Sequence, residues 1–294
     1  MSSDPVCLQK ALDQAAAELR EADPTISLIS GTELFLRFVT RSAGTYADFE
    51  EHRGILLGRA QKFVERTLVS RAAIGKLFVD RILRDGQSIL VHGLSRVVLE
   101  VLRQASGRGK RLHVYCTECR TPTRVFGQEM ADMIAKATGF QVSLVVDSSV
   151  ARIMHEMDFI VFGAEGIVEN GGVINTVGTY QIAMIANLLR VPVYVAAESF
   201  KFVRHFPLSQ NGTKALCVVD ESSLSHFSFF PDVPQVAVVQ IRDELAAIEK
   251  SSEQLKVVRH THDYCPPNFI TLLFTDSGIL TPAAVSDTLI RLYL

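Results

Sequence analysis

The chain has 294 residues, 48% of them hydrophobic, and a formal net charge of -2. That length and apolar share allow one large domain, or one large and one smaller domain, and argue against global disorder. The near-balanced charge gives no reason to expect direct nucleic-acid binding, and no apolar run reaches the roughly 18 residues that suggest a membrane span.

The first residues, MSSDPVCLQKALDQ, lack the basic and apolar regions of a secretory signal. Five scattered cysteines read as reduced thiols in a cytoplasmic protein. Up to Gly86 the spacing of apolar residues is helical. Leu8, Leu12, Ala15, Ala16 and Leu19 form one stripe, and Pro24 ends it. Ser30 and Glu33 read as a capping box ahead of Leu34, Phe35, Phe38 and Val39. A third, longer helix carries Leu56, Ala60, Phe63, Val64, Leu68, Leu77, Phe78 and Ile82, with Gly86 as its C-terminal cap.

From Ser88 the rhythm changes. Short apolar runs occur at Ile89 to Val91, Leu112 to Tyr115, Val142 to Val146, Phe159 to Phe162, Val193 to Ala196 and Ile270 to Phe274, with helix-like segments between most of them. Continuous rather than alternating runs mark strands covered on both faces. Alternation of strand and helix gives a doubly wound parallel sheet. The expected fold is α/β, with a helical domain over 1–86 and the sheet domain over 87–294. The stretch from Ser209 to Asp263 is long for one connection and is expected to hold a helix from about Val239 to Leu255. Thr281 and Pro282 read as N-cap and first residue of a last helix, whose apolar end should tuck into a core or an interface.

Ligands in such sheets sit beyond the carboxyl ends of the strands. The residues found there are His92 and Gly93, Thr117 to Arg120, Asp147, Gly163 to Gly166, Glu198 to Lys201, and Thr275 and Asp276. They read as a binding pocket or simply as polar loop starts. His92 is either a pocket donor or a satisfied core histidine. Cys116 and Cys119 form a lone C-x-x-C, too few ligands for zinc, and His260, His262, Asp263 and Cys265 lie in a proline-rich loop that favours a structural reading. Gly171 and Gly172 give a tight bend, after which Asn175, Thr176, Gly178 and Thr179 either cradle a phosphate or turn into a helix near Tyr180. Lys201 either holds a phosphate or pairs with Glu198. No nucleotide-binding glycine fingerprint or nucleophile elbow occurs.

The segments SGTELFLRF, ILVHGLSRVVLEVL, GAEGIVENGGVINTVGT, VAAESFKFVRHFPLSQ and FITLLFTDSGILTPAAVSDTLIRLYL resemble the alpha-subunit family of eukaryotic initiation factor 2B. The resemblance covers nearly the whole chain, and its wider superfamily includes sugar-phosphate aldose-ketose isomerases. It implies a helical domain followed by a Rossmann-like domain. It also implies a non-catalytic regulatory role in the guanine-nucleotide exchange factor for initiation factor 2. Implied partners are the other subunits of that factor, the phosphorylated alpha subunit of initiation factor 2 (met through the helical domain) and a second copy of the chain. A sugar phosphate is the one small ligand the resemblance suggests, and no cofactor is expected. The isomerases carry a cysteine after the first strand's histidine and an aspartate after the glycine-alanine pair of the fourth; here those places hold Gly93 and Glu165. A lysine of the isomerases is matched by Thr176. The loop TECRTPTRVFG is about two residues longer than its counterpart, and the N-terminus starts late relative to the family. On this reading the pocket residues are His92, Gly93, Glu118, Arg120, Glu165, Asn175, Thr176, Glu198 and Lys201. A sugar-phosphate isomerase or a sugar-phosphate-binding module is the alternative.

Overall fold

A computed structural model describes residues 5–22, 25–40, 49–121, 125–210 and 260–293. Three helices lead: α1 (Pro5–Ala22), α2 (Ile26–Thr40) and α3 (Phe49–Arg81). The helix α2 starts a turn earlier than its capping pattern implied. The carbonyl of Thr25 already accepts from the amides of Leu28 and Ile29, at 3.1 and 3.0 Å. Ser30 therefore lies inside the helix and its hydroxyl donates to the carbonyl of Ser27 at 3.2 Å. Serine and threonine hydroxyls can satisfy themselves on the preceding turn in this way, so the capping spacing recurs without a cap. Gly86 is also not a helix cap. The helix α3 ends at Arg81, and Gly86 (φ +80°) sits in the turn entering the sheet, its amide donating to Arg111.

The strands β1 (Ser88–His92), β2 (His113–Thr117), β3 (Gln141–Val145) and β4 (Phe159–Phe162) follow, joined by helices α4 (Arg96–Gly107), α5 (Phe126–Thr138) and the short α6 (Val150–Ile153). A hairpin of β5 (Gly166–Val168) and β6 (Val173–Thr176) comes next, then α7 (Thr179–Leu188), β7 (Val193–Ala196) and β8 (Phe202–Val203). The last elements are β9 (His262–Cys265), β10 (Leu272–Thr275), β11 (Gly278–Leu280) and α8 (Val285–Tyr293). The main sheet has the order β11-β10-β7-β4-β1-β2-β3, parallel except for β11 at one edge. The chain walks outward from β1 to β3 and then crosses back to β4 on the other side of β1. That reversal is the topological switch point of a doubly wound fold, where a crevice opens beyond the carboxyl ends.

Side-chain alternation along the covered strands builds a core on each face. Leu90, Ile160, Phe162, Val195 and Leu273 pack on one side. Ile89, Val91, Val114, Val161 and Phe274 pack on the other, with Val98 and Leu102 of α4 and Ile74, Phe78 and Val79 of α3. The Phe78 ring lies 4.5 Å from Phe274 and 5.9 Å from both Phe159 and Tyr194, centroid to centroid. The C-terminal half of α3 is thus part of the sheet's own core.

A second, four-stranded sheet of order β8-β5-β6-β9 has no forerunner in the sequence pattern. Its strands run two to four residues, too short for periodicity to register. It places Asn175 and Thr176 in β6, and the expected glycine bend closes the β5–β6 hairpin. Gly171 has φ +84°, and a Cβ there would meet the carbonyl of Pro282 at 2.1 Å. Before α8, Pro282 opens a single tight turn capped by the Thr281 carbonyl; the Thr281 side chain makes no capping bond. Val285 and Leu289 of α8 are buried, and Leu292 packs against the same core. The helix expected near 239–255 lies outside the described residues. Among the described residues no helix is long and apolar enough to cross a membrane.

Removing the Phe78 ring should cost about 3–5 kcal/mol, since three aromatic neighbours close over it. Urea denaturation of Phe78→Ala checks this; a change below about 1 kcal/mol would show that α3 does not help hold the sheet.

Candidate functional site

The strand β1 delivers His92 and Gly93 to the switch-point crevice. His92 is 1% exposed. Its Nε2 lies 2.9 Å from the Val177 carbonyl, which can only accept, so Nε2 carries the proton. Nδ1 then accepts from the Thr117 hydroxyl at 2.6 Å. Burial holds the imidazole below its ordinary pKa, against the opposing pull of Asp147 and two backbone carbonyls. His92 is a neutral, fully satisfied clamp between β2 and the turn before α7. That turn needs Gly178 (φ +104°), since a Cβ there would stand 2.8 Å from the imidazole.

Gly93 is left-handed (φ +76°), and a Cβ on it would lie 3.2 Å from Thr176 Oγ1 and 4.0 Å from Cys119 Sγ. A thiol therefore stands beside the place where the resemblance expects one, but it comes from the loop after β2. Cys119 holds a positive φ of 45°. Its amide donates to Asp147 Oδ1 at 2.9 Å, and its sulfur lies 3.6 Å from His92 Nε2. Burial first, and the Asp147 charge second, push the thiol's pKa up, so it stays protonated at neutral pH. Cys116, inside β2, is also free and buried, its thiol pushed up to about 12 by burial.

A charged cluster forms at the ends of β4 and β7. Glu198 is 1% exposed. Its Oε1 accepts from Arg71 Nε of α3 at 2.8 Å, and Lys201 Nζ lies 3.4 Å from its Oε2 while donating to the Ala164 carbonyl at 2.7 Å. Burial alone would raise this carboxyl. Lys201 and Arg71 overcome that and hold it below the usual range. Arg96, at the start of α4, is shifted down by burial and by Arg71, and supported by Glu198 and Glu165. Glu165 faces α2, where the Ser27 hydroxyl lies 2.9 Å from its carbonyl and 3.0 Å from its Oε2. Two polar links thus tie the helices to the strand ends.

The remaining expected residues fall at the margins of these groups. Asn175 donates to the Thr179 hydroxyl at 3.0 Å, which itself donates to the Thr176 carbonyl at 2.7 Å, so both steady the start of α7. Glu118 and Arg120 face each other at 3.7 Å on the rim, with Arg120 half exposed. The loop TECRTPTRVFG lies partly outside the described residues.

Asp263 was not among the expected pocket residues. It stands on β9 opposite Asn175 of β6. Its Oδ2 accepts from the amides of Gly178 and Tyr180 at 2.8 and 3.0 Å, capping α7, while its Oδ1 is buried without a hydrogen-bond partner. Burial outweighs those two amides and pushes the carboxyl up to about 6. His262, next along the strand, points to the other face, and burial lowers its pKa against Glu165. Among the described residues no three His, Cys, Asp or Glu side chains are grouped to hold a metal ion. The sequence marked Asp263 only as part of a histidine- and cysteine-bearing loop read as structural, because only the long-range pairing of β6 with β9 brings it to the crevice. Arg71 and Ser27 were hidden for the same reason.

A mostly parallel Rossmann-like sheet with helices clasped to its carboxyl edge, and polar side chains gathered at its switch point, defines a doubly wound α/β protein. The chain belongs to the initiation factor 2 subunit family, whose model matches residues 3–282. It is 39% identical to translation initiation factor eIF2B subunit alpha of Dictyostelium discoideum, over 99% of this chain and 86% of that one. It is 33% identical to the protein of the same name from Caenorhabditis elegans, over 97% and 85%. It is also 30% identical to ribose 1,5-bisphosphate isomerase of Methanocaldococcus jannaschii, over 90% and 77%. Among solved structures, the tetrameric eIF2B-beta2-delta2 complex from C. thermophilum shares the fold, with a TM-score of 0.71 at 16% identity over 99% of this chain and 82% of that one.

Because its folded-state pKa is raised, Asp263 favours the folded protein most at low pH, and that contribution is lost as pH rises through about 6. The titratable groups that feel it are Cys119 across the crevice and Cys265 on its own strand. From β6 and α7 it faces Asn175, Thr176 and Tyr180. Thermal melts between about pH 4 and pH 7 should show the wild type losing stability relative to Asp263→Asn. Curves that stay parallel across that window would contradict the assignment.

Proposed function

We propose that the chain is a non-catalytic regulatory subunit of the guanine-nucleotide exchange factor for translation initiation factor 2, working in the cytoplasm. The two relatives called eIF2B subunit alpha support this over nearly the full chain. The observation that carries it is chemical. Moving a proton between neighbouring carbons needs a positioned acid and base. Position 93 supplies no side chain, Glu165 is engaged by Ser27, and the nearby thiol of Cys119 stays protonated. On this reading residues 1–86 form the helical domain, which helps sense the phosphorylated alpha subunit of initiation factor 2. Residues 87–294 form the Rossmann-like domain and carry the dimer contact. Met184, Leu188 and Leu189 leave an apolar face on and just after α7, with exposures of 39, 81 and 46%, and a second copy would cover such a face. Exchange itself belongs to other subunits of the assembly.

A second reading concerns the crevice alone: it holds a sugar phosphate without transforming it. Three cations, Arg71, Arg96 and Lys201, gather around its edge, and ribose 1,5-bisphosphate isomerases are among the relatives. His92, Gly93, Glu118, Arg120, Glu165, Asn175, Thr176, Glu198 and Lys201 would line or support it, with Cys119 and Asp263 added.

Native mass spectrometry tests the assembly. The chain alone should give twice its 32.4 kDa mass, and a larger species when mixed with the other exchange-factor subunits. Leu188→Glu should shift the dimer to monomer. A wild-type monomer that joins no other subunit contradicts the proposal.

A further inference from the structure

Asp263 has one oxygen that the protein does not satisfy. Its Oδ2 takes two amides from the start of α7, whereas Oδ1 is buried with no partner. An unsatisfied buried acceptor costs about 1–3 kcal/mol, and native proteins keep such groups where water or a ligand completes them. No charged donor serves it: its carboxyl is raised by burial, opposed only by the amides of Tyr180 and Gly178. Asn175 donates to Thr179, and His92 gives its one proton to Val177.

The carboxyl stands beside the crevice. Gly178, which donates to Asp263, packs directly on the His92 ring. Cys119 lies against the same ring, close enough to Asp263 to feel its charge. Gly93 and the Thr176 hydroxyl complete that wall. A neutral O–H donor suits the spot. A phosphate oxygen does not, because it would be repelled, and the cations Arg71, Arg96 and Lys201 that suit phosphate gather around Glu198 instead.

We propose that Asp263 is the specificity-determining residue of the crevice: its unsatisfied oxygen accepts a hydrogen bond from a ligand hydroxyl, so that phosphorylated polyols are held in preference to bare phosphate. This rests on the reading of the crevice as a sugar-phosphate holder. Asp263 does no chemistry; it positions the hydroxylated part of the ligand.

Calorimetric titration of the full chain with ribose 5-phosphate and with inorganic phosphate tests it. Asp263→Asn keeps a carbonyl for the amides of Gly178 and Tyr180 but turns the unsatisfied acceptor into a donor. The variant should bind ribose 5-phosphate about tenfold more weakly, as expected for a lost hydrogen bond of about 1.4 kcal/mol, and inorganic phosphate within about twofold. Unchanged ribose 5-phosphate binding, or an equal loss for both ligands, overturns the role of Asp263 and leaves the holding reading intact. Wild type that binds no ribose 5-phosphate overturns both. Should the variant fail to fold, the wild-type preference for ribose 5-phosphate over methyl phosphate is measured at about pH 5 and about pH 7.5. Both are phosphate monoesters that titrate near pH 6, so that titration cancels in the ratio. The preference should fall at least threefold at the lower pH, and a constant ratio overturns the proposal.

Discussion

Glu198 is an ionised carboxylate kept inside the protein, and the architecture around the crevice follows from the cost of keeping it there. A buried charge is tolerated only with partners at close range. One partner, Lys201, comes from the same loop. The other, Arg71, must be brought by α3, a helix that also supplies Phe78 to the sheet's core. The apolar contact and the ion pair therefore reinforce each other along one helix. Ser27 of α2 adds a second tie at Glu165. A disturbance of the loops after β4 or β7 is felt directly by the helices.

Position 93 carries no side chain, yet a thiol stands 4.0 Å from where one there would begin; it hangs from the loop after β2, and burial keeps it protonated. A protonated thiol can donate a proton and cannot take one. His92 cannot supply the missing base, because its one free lone pair already accepts from Thr117.

Much of this was legible in the sequence. Five of the six apolar runs announced strands covered on both faces, which must be apolar throughout, whereas the run at the edge strand β3 leaves Leu144 and Val146 half exposed; the switch point then placed His92, Gly93 and Glu198 at one edge. The pairing of Glu198 with Lys201 was one of the two readings that the sequence left open. What stayed hidden depended on contacts between distant segments. Asp263 sits in a run, His260 to Cys265, that resembles a loop and becomes a strand only by pairing with β6. Arg71 is one of many charges on a long helix, and nothing local marks it as the partner of Glu198. The Ser30 pattern failed because a hydroxyl can bond its own helix, and Gly86 because a left-handed glycine serves a strand entrance as well as a helix end. His92, open between pocket donor and core residue, is a clamp at the boundary of the two.

Whether this crevice only holds its guest is tested most directly by incubating the purified chain with ribose 1,5-bisphosphate and following the appearance of ketose. Product formed no faster than in buffer is the expected result. Turnover that disappears in Cys119→Ser or Glu165→Ala would contradict it, since either loss would reveal a working acid or base where the structure shows a protonated thiol and an engaged carboxylate.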